Sequence, residues 1–363
     1  MEISFYDFQN LHNEKFRKEV KDIIGEIIDN NAFAEGEYNH KFEKDFAKMQ
    51  GANHCALVGN GTDAIEISLE VLGVGHGDKV GVPGITFYAT IEAVLNRGAT
   101  PVYIDINPED GLLCPKSLER MAEAHNLKAV IPVHIYGLPA PIKEIEDVCN
   151  PRGIKIIEDS AQAQGTFLPT GPVGSSNNLS TFSFYPTKNL AAFGDAGAVL
   201  VPTEELYNKI KTIGNHGRGD DSMYGRNSRC DHIQAAVLYK KLEMIEEYNK
   251  ARKSAAALYH KHLEGASVKV LPSKYLTTSS WHLYPVQCES SQARESLAKL
   301  LADNGVSTTP FYAEALSEMT PFKGYEGEDE KAKAFAGHTL CLPISAFTTE
   351  EQIEYICNII KKA

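Results

Sequence analysis

The chain has 363 residues, 43% hydrophobic and 23% charged, ordinary for a soluble globular protein and long enough for two domains. Lys and Arg total 36 against 48 Asp and Glu, a net charge of −12 that argues against non-specific nucleic-acid or anionic-membrane binding. Seven scattered cysteines with no C-x-x-C pair lack zinc-site spacing and suit a reducing cytoplasm. No apolar leader opens the chain, and no apolar run approaches the roughly 20 residues that span a bilayer.

Apolar residues at Phe16, Val20, Ile23, Ile24, Ile27 and Ile28 predict a helix with one buried stripe over 13–30, stopped at Asn30-Asn31. Phe42, Phe46 and Met49 predict a second helix, ended by Gly51. Residues 56–58 then read as a short strand and Gly59-Asn60-Gly61 as a tight turn. A helix follows from Thr62 or Asp63, with Ile65, Leu69 and Leu72 on one face. A helix N-terminus presents free N–H groups and a positive dipole end, so this turn is a candidate anion site. Gly61 permits close backbone approach and Thr62 adds a hydroxyl. A plain strand-to-helix connection has the same residues.

Short apolar runs at 79–82, 101–104, 129–133 and 154–157 alternate with helix-length segments at 89–97, 115–125 and 142–150. That alternation predicts a parallel sheet with helices on both faces, where ligands bind beyond the carboxyl ends of the strands. Asp159 falls just past the run 154–157, and Gln162 one turn later. A carboxylate there can hold a ring nitrogen protonated and the amide can donate to an oxygen; Glu158-Asp159 also reads as a helix N-cap. Phe87, past the run 79–82, can stack on a flat ring or simply pack a loop. His134 lies at the same edge, where most lone histidines are structural.

The stretch 181–197, TFSFYPTKNLAAFGDAG, delivers Lys188 just beyond a buried strand, followed by a Gly-rich segment and a second apolar run at 198–201. Desolvation lowers the pKa of such an amine, which can then form a Schiff base with an aldehyde. Residues 225–238 pass from polar to amphipathic, and 233–263 read as one long helix bridging to a second domain. There, 268–271, 282–287 and 306–309 are strand-like and 291–303 and 349–361 helical, an α+β pattern.

Six blocks in order, VGNGTDAIE, VPGITFYAT, VIPVHIYGLPA, IIEDSAQAQG, FSFYPTKNLAAFGDAG and GRNSRCDHIQAAVL, resemble the DegT/DnrJ/EryC1/StrS aminotransferases, and the likeness reaches WHLYPV and the CLPIS…TTEEQ ending. The resemblance implies a fold-type-I aminotransferase: a three-layer α/β fold with a mostly parallel central sheet and a smaller α+β C-terminal domain. The expected division is a large domain over 1–245 and a small one over 246–363. It implies pyridoxal 5'-phosphate (PLP) as cofactor, a nucleotide-linked keto-sugar and glutamate/2-oxoglutarate as substrates, and a cytoplasmic homodimer with shared active sites. Lys188 matches the Schiff-base lysine and Asp159 the partner of the pyridinium nitrogen. Gln162 matches the residue at the ring hydroxyl, Phe87 the stacking aromatic, and Gly61, Thr62 and Ser183 the phosphate ligands. Asn227 matches an asparagine reaching the phosphate from the other subunit, with Arg229 beside it. Arg229, His282, Phe311 and Tyr312 are the implied substrate-facing residues. Phe311 stands where many members carry histidine, and Ser345 near the place of another. These departures bear on the sugar's identity. Sugar dehydratases of the family carry histidine in place of the lysine, so Lys188 favours transamination. A non-catalytic PLP-binding regulator is the alternative from another class.

Overall fold

The computed structural model describes residues 1–220 and 223–363. Strands β1 (His54–Val58), β2 (Lys79–Pro83), β3 (Thr100–Ile104), β4 (Leu127–Val130) and β5 (Lys155–Asp159) are followed by a small ribbon, β6 (Phe167–Leu168) with β7 (Gly171–Pro172), and then by β8 (Leu179–Ser183) and β9 (Gly197–Val201). All but the ribbon form one sheet in the order β1-β9-β8-β5-β4-β2-β3. The pairs β2–β3, β2–β4, β4–β5 and β5–β8 are parallel; β9 is antiparallel to both neighbours. Two reversals restore the direction of β1, so β1, β5 and β8 all end at one edge. The predicted mostly parallel sheet is present. The reversed strand is the part that alternation does not reveal.

The strands read as continuous apolar runs because both faces are covered. Along β1, Cys55 and Leu57 join one core cluster while Ala56 and Val58 join another. Four rings fix the strand that leads to Lys188. Phe42 and Phe46, on helix Glu37–Met49, meet Phe182 and Phe184 edge-on at 5.0–5.3 Å. Each such pair adds about 0.5–1.5 kcal/mol beyond its area burial.

A second sheet, β10 (Lys269–Val270), β11 (Tyr284–Gln287) and β12 (Thr339–Leu342), is antiparallel, and helices Ser291–Asp303 and Glu350–Ile360 follow β11 and β12 in the chain. The stretch 306–309 is no strand: Val306 bridges to Ile3 and Thr309 to Cys341 as isolated contacts. The expected helix over 233–263 is two, His232–Leu242 and Ile245–His262. Between them Met244 N–H bonds the Lys241 carbonyl at 3.0 Å, a tightened turn that re-aims the chain.

Candidate active site

The edge where β1, β5 and β8 end gathers most of the expected cofactor residues. After β1, Asn60 caps the helix Gly61–Val71 by accepting from the Asp63 N–H at 2.8 Å. This turn presses against the neighbouring strands. A Cβ on Gly61 would lie 2.7 Å from the Ser183 Cβ, and one on Gly197 would lie 2.4 Å from the Asn60 carbonyl, so glycine is required at both. Gly197 pairs with Val58 on one side and Ser183 on the other. Gly61 and Ser183 are thereby packed together, with Thr62 next in line, at a helix N-terminus whose free N–H groups suit an anion such as a phosphate.

Asp159 ends β5 and is 5% exposed. Its Oδ1 accepts from the Ala161 N–H at 3.1 Å and its Oδ2 from the Thr90 hydroxyl at 2.8 Å. Thr90 in turn accepts from Thr86 at 2.9 Å, since its own proton is committed to Asp159. No helix follows directly, so the N-cap reading of Glu158-Asp159 fails. Burial raises the Asp159 pKa, against the Thr90 hydrogen bond and the pull of Lys188. A carboxylate kept short of countercharge is suited to a cationic ring nitrogen. Burial also lowers the Lys188 amine to about 8, with Asp159 opposing that fall.

Gln162 is buried and held at both ends of its amide. Its Oε1 accepts from the Tyr136 N–H at 2.6 Å and its Nε2 donates to the Tyr312 hydroxyl at 3.0 Å. One N–H of the amide is left over. Tyr312 thus joins the group, with its ring centroid 6.4 Å from that of Phe87. Phe87 is 51% exposed at the start of helix Tyr88–Asn96, open to a flat partner. Phe311 instead packs against Phe5 at 6.0 Å, and its carbonyl accepts from the Tyr136 hydroxyl.

His134 is structural. Its Nδ1 accepts from the Ala140 N–H, which leaves the proton on Nε2 for buried Glu158 at 3.0 Å. His282 is buried and hydrogen bonds Asn189 Oδ1 through Nδ1 at 3.2 Å; burial and the charges of Lys188 and Arg252 hold its pKa well below the usual range, so it is neutral. Among the described residues no hydrogen bond links Asn227 or Arg229 to Lys188; Asn227 bridges to Asn215 instead. Their segment is fixed to the helix Gly61–Val71 by Ser228, which donates to Asp63 at 2.6 Å, and by Arg226, which pairs with Glu66 and Glu70. Asn227 is exposed, and Arg229 donates to Asn215 Oδ1 at 2.8 Å. Sequence reasoning missed Thr86 and Thr90, whose i,i+4 spacing in TFYAT was readable. It also missed Arg252, for which no local motif gives a signal.

Comparison with known proteins agrees with this geometry. The profile of the DegT/DnrJ/EryC1/StrS aminotransferase family matches residues 14–361. The chain is 33% identical to the erythromycin biosynthesis sensory transduction protein EryC1 of Saccharopolyspora erythraea, covering 99% of each. It is also 33% identical to a UDP-N-acetyl-3-dehydro-alpha-D-glucosamine 3-aminotransferase of Acidithiobacillus ferrooxidans, over 97% of this chain and 95% of that one. Among solved structures, DesV of S. venezuelae superposes with a TM-score of 0.94 at 31% identity, covering 99% of this chain and 98% of DesV.

Proposed function

The chain belongs to the DegT/DnrJ/EryC1/StrS aminotransferase family, and from that premise we propose that it carries an amino group from glutamate to a nucleotide-linked keto-sugar. Glutamate leaves as 2-oxoglutarate and the ketone becomes an amine, so the exchange is balanced over two half-reactions. The observation that carries the reading is one sheet edge holding an amine with pKa about 8, a buried carboxylate and an anion cradle. Pyridoxal 5'-phosphate is the cofactor and supplies, when bound, an aldehyde and an electron sink.

The residues present fit that group. Gly61, Thr62 and Ser183 would hold the phosphate, Phe87 would cover the ring, and Gln162 would give its spare N–H to the ring hydroxyl. Asp159, fixed by Thr90 and Ala161, would pair with the ring nitrogen and hold it protonated. Lys188 Nζ moves a proton off the donor carbon and back to the acceptor carbon. Its lowered pKa keeps an appreciable fraction neutral near pH 8, the form a general base needs. Tyr312, held through Gln162, and His282 line the substrate side.

The active site is shared in a homodimer. The exposed Asn227, anchored by its neighbours, serves the phosphate of the partner subunit, with Arg229 alongside. Residues 1–245 form the large domain and 246–363 the small one. The seven cysteines are free thiols, in keeping with a cytoplasmic enzyme, and no described helix is long and apolar enough to cross a membrane.

The test is a mass-spectrometric screen of uridine- and thymidine-linked keto-sugars with glutamate. Amino-sugar and 2-oxoglutarate should accumulate equally over many turnovers. Conversion limited to one equivalent of enzyme, or none with any sugar, would favour the PLP-binding regulator.

A further inference from the structure

One charged group at the site has no part in these roles. Arg252, on the helix Ile245–His262, lines a narrow cavity whose wall also includes Lys188, Thr187, Tyr6, Tyr248 and Ser345. Its Nη1 donates to three backbone carbonyls, those of Ile344 at 3.0 Å, Trp281 at 3.2 Å and His282 at 3.5 Å. Carbonyls orient a guanidinium but do not neutralise it. Among the described residues no carboxylate lies within 4.0 Å of Arg252, whereas Arg97, Arg120, Arg152, Arg226 and Arg294 each have one. Asp7, on the same wall, is committed to capping the helix Phe8–Leu11 and bonds Asn10 twice. Burial draws the Arg252 pKa down to about 10, which still leaves it charged at neutral pH. The group is thus oriented, charged and short of an anion, with Nε and Nη2 of its planar fork uncommitted to any described side chain.

The cavity offers about 40 Å³, room for a carboxylate group. Arg252 Nη1 reaches the His282 carbonyl at 3.5 Å, and Lys188 lies on the same cavity wall as Arg252. We propose that Arg252 receives a carboxylate of the amino donor, so that the enzyme selects amino acids over simple amines. This rests on the aminotransferase reading above. The guanidinium fork takes the carboxylate oxygens in two parallel hydrogen bonds while the donor nitrogen is presented at Lys188.

The test uses the PLP-loaded enzyme without sugar and follows the cofactor absorbance as donor nitrogen is taken up. Arg252→Gln should raise the glutamate concentration for half-maximal conversion by roughly 10–100-fold. The slow conversion by 1-aminopropane, which has no carboxylate, should be unchanged. Calorimetry with glutarate, which has carboxylates and no amine, should show binding to the unmodified enzyme and a comparable loss in the variant. Arg252→Lys, which keeps the charge without the fork, should fall between the two and serves if Arg252→Gln does not fold. Equal losses for glutamate and 1-aminopropane would reduce Arg252 to a packing residue and overturn the proposal, as would unchanged glutamate and glutarate affinities. If the unmodified enzyme binds glutarate yet takes nitrogen from no amino acid, the aminotransferase reading fails instead.

Discussion

Two lysines of this chain have their amines drawn well below the usual range, and only one stands at a site. Lys188 falls to about 8 beside Asp159. Lys241 falls further, to about 7, from burial alone. It is 4% exposed, and its Nζ has no hydrogen-bond partner among the described residues. Aromatic faces are its main company, Phe193 at 5.0 Å and Phe16 at 5.8 Å. Its titratable neighbour His12 is lowered to about 4, chiefly by burial and then by Lys241. The deeper shift therefore belongs to the lysine that, among the described residues, pairs with no carboxylate. Desolvation makes an amine a weaker base anywhere; what it faces decides whether that has a use.

The largest expected effect breaks the comparison at Lys188. Lys188→Ala should lower turnover by roughly 10⁴-fold, the upper range for losing a positioned acid-base group. Borohydride reduction of the unmodified enzyme followed by peptide mass spectrometry should find the cofactor on Lys188 and none on Lys241. Cofactor on Lys241 would mean that a lowered pKa is enough by itself.

A smaller loss should follow from removing the countercharge. Asp159→Asn should keep PLP through the phosphate cradle yet lose about a hundredfold in turnover, comparable to other single electrostatic groups. Near-normal rates would reduce Asp159 to a turn-forming residue serving Ala161.

The smallest effect concerns stability. The folded pKa of Lys241, about 7, lies below the ordinary value of 10.5, so between those pH values the unfolded chain holds a proton that the folded one lacks. Stability therefore rises with pH across that window, and below pH 7 the full penalty of a buried ammonium applies. Lys241→Met should stabilise the protein by about 1–2 kcal/mol at pH 6, after the lost contacts with the two rings, and leave turnover unchanged. Thermal unfolding of both proteins from pH 6 to 10 should show the gap closing as pH rises. A constant gap would mean that Lys241 keeps its proton in the folded protein across this range, so that its pKa is not lowered.

Most of the sheet was legible because strands buried on both faces must be apolar at successive positions, as 56–58 and 198–201 are. Lys188, Asp159 and the Gly61 turn were legible because each follows such a run, and in a parallel sheet that places them at one edge. The reversal of β9 was not, since apolar runs carry no direction. Nor was the break at Glu243–Met244, where neither Gly nor Pro interrupts the helical pattern. Arg252 was invisible for a different reason. Its partners are carbonyls of Trp281, His282 and Ile344, which any residue provides, so no side-chain pattern marks the place.

Gly197 has a consequence for how far this sequence can drift. Its α-carbon sits where no methyl fits, against the Asn60 carbonyl on one side and in register with Ser183 on the other. The cradle and the strand leading to Lys188 therefore share a joint with no slack. A larger residue at 197 cannot be offset by a smaller one at 61, because that position is already glycine. The two glycines are constrained together, and a lineage that lost either would have to rebuild the spacing between the phosphate end and the lysine end of the site in a single step.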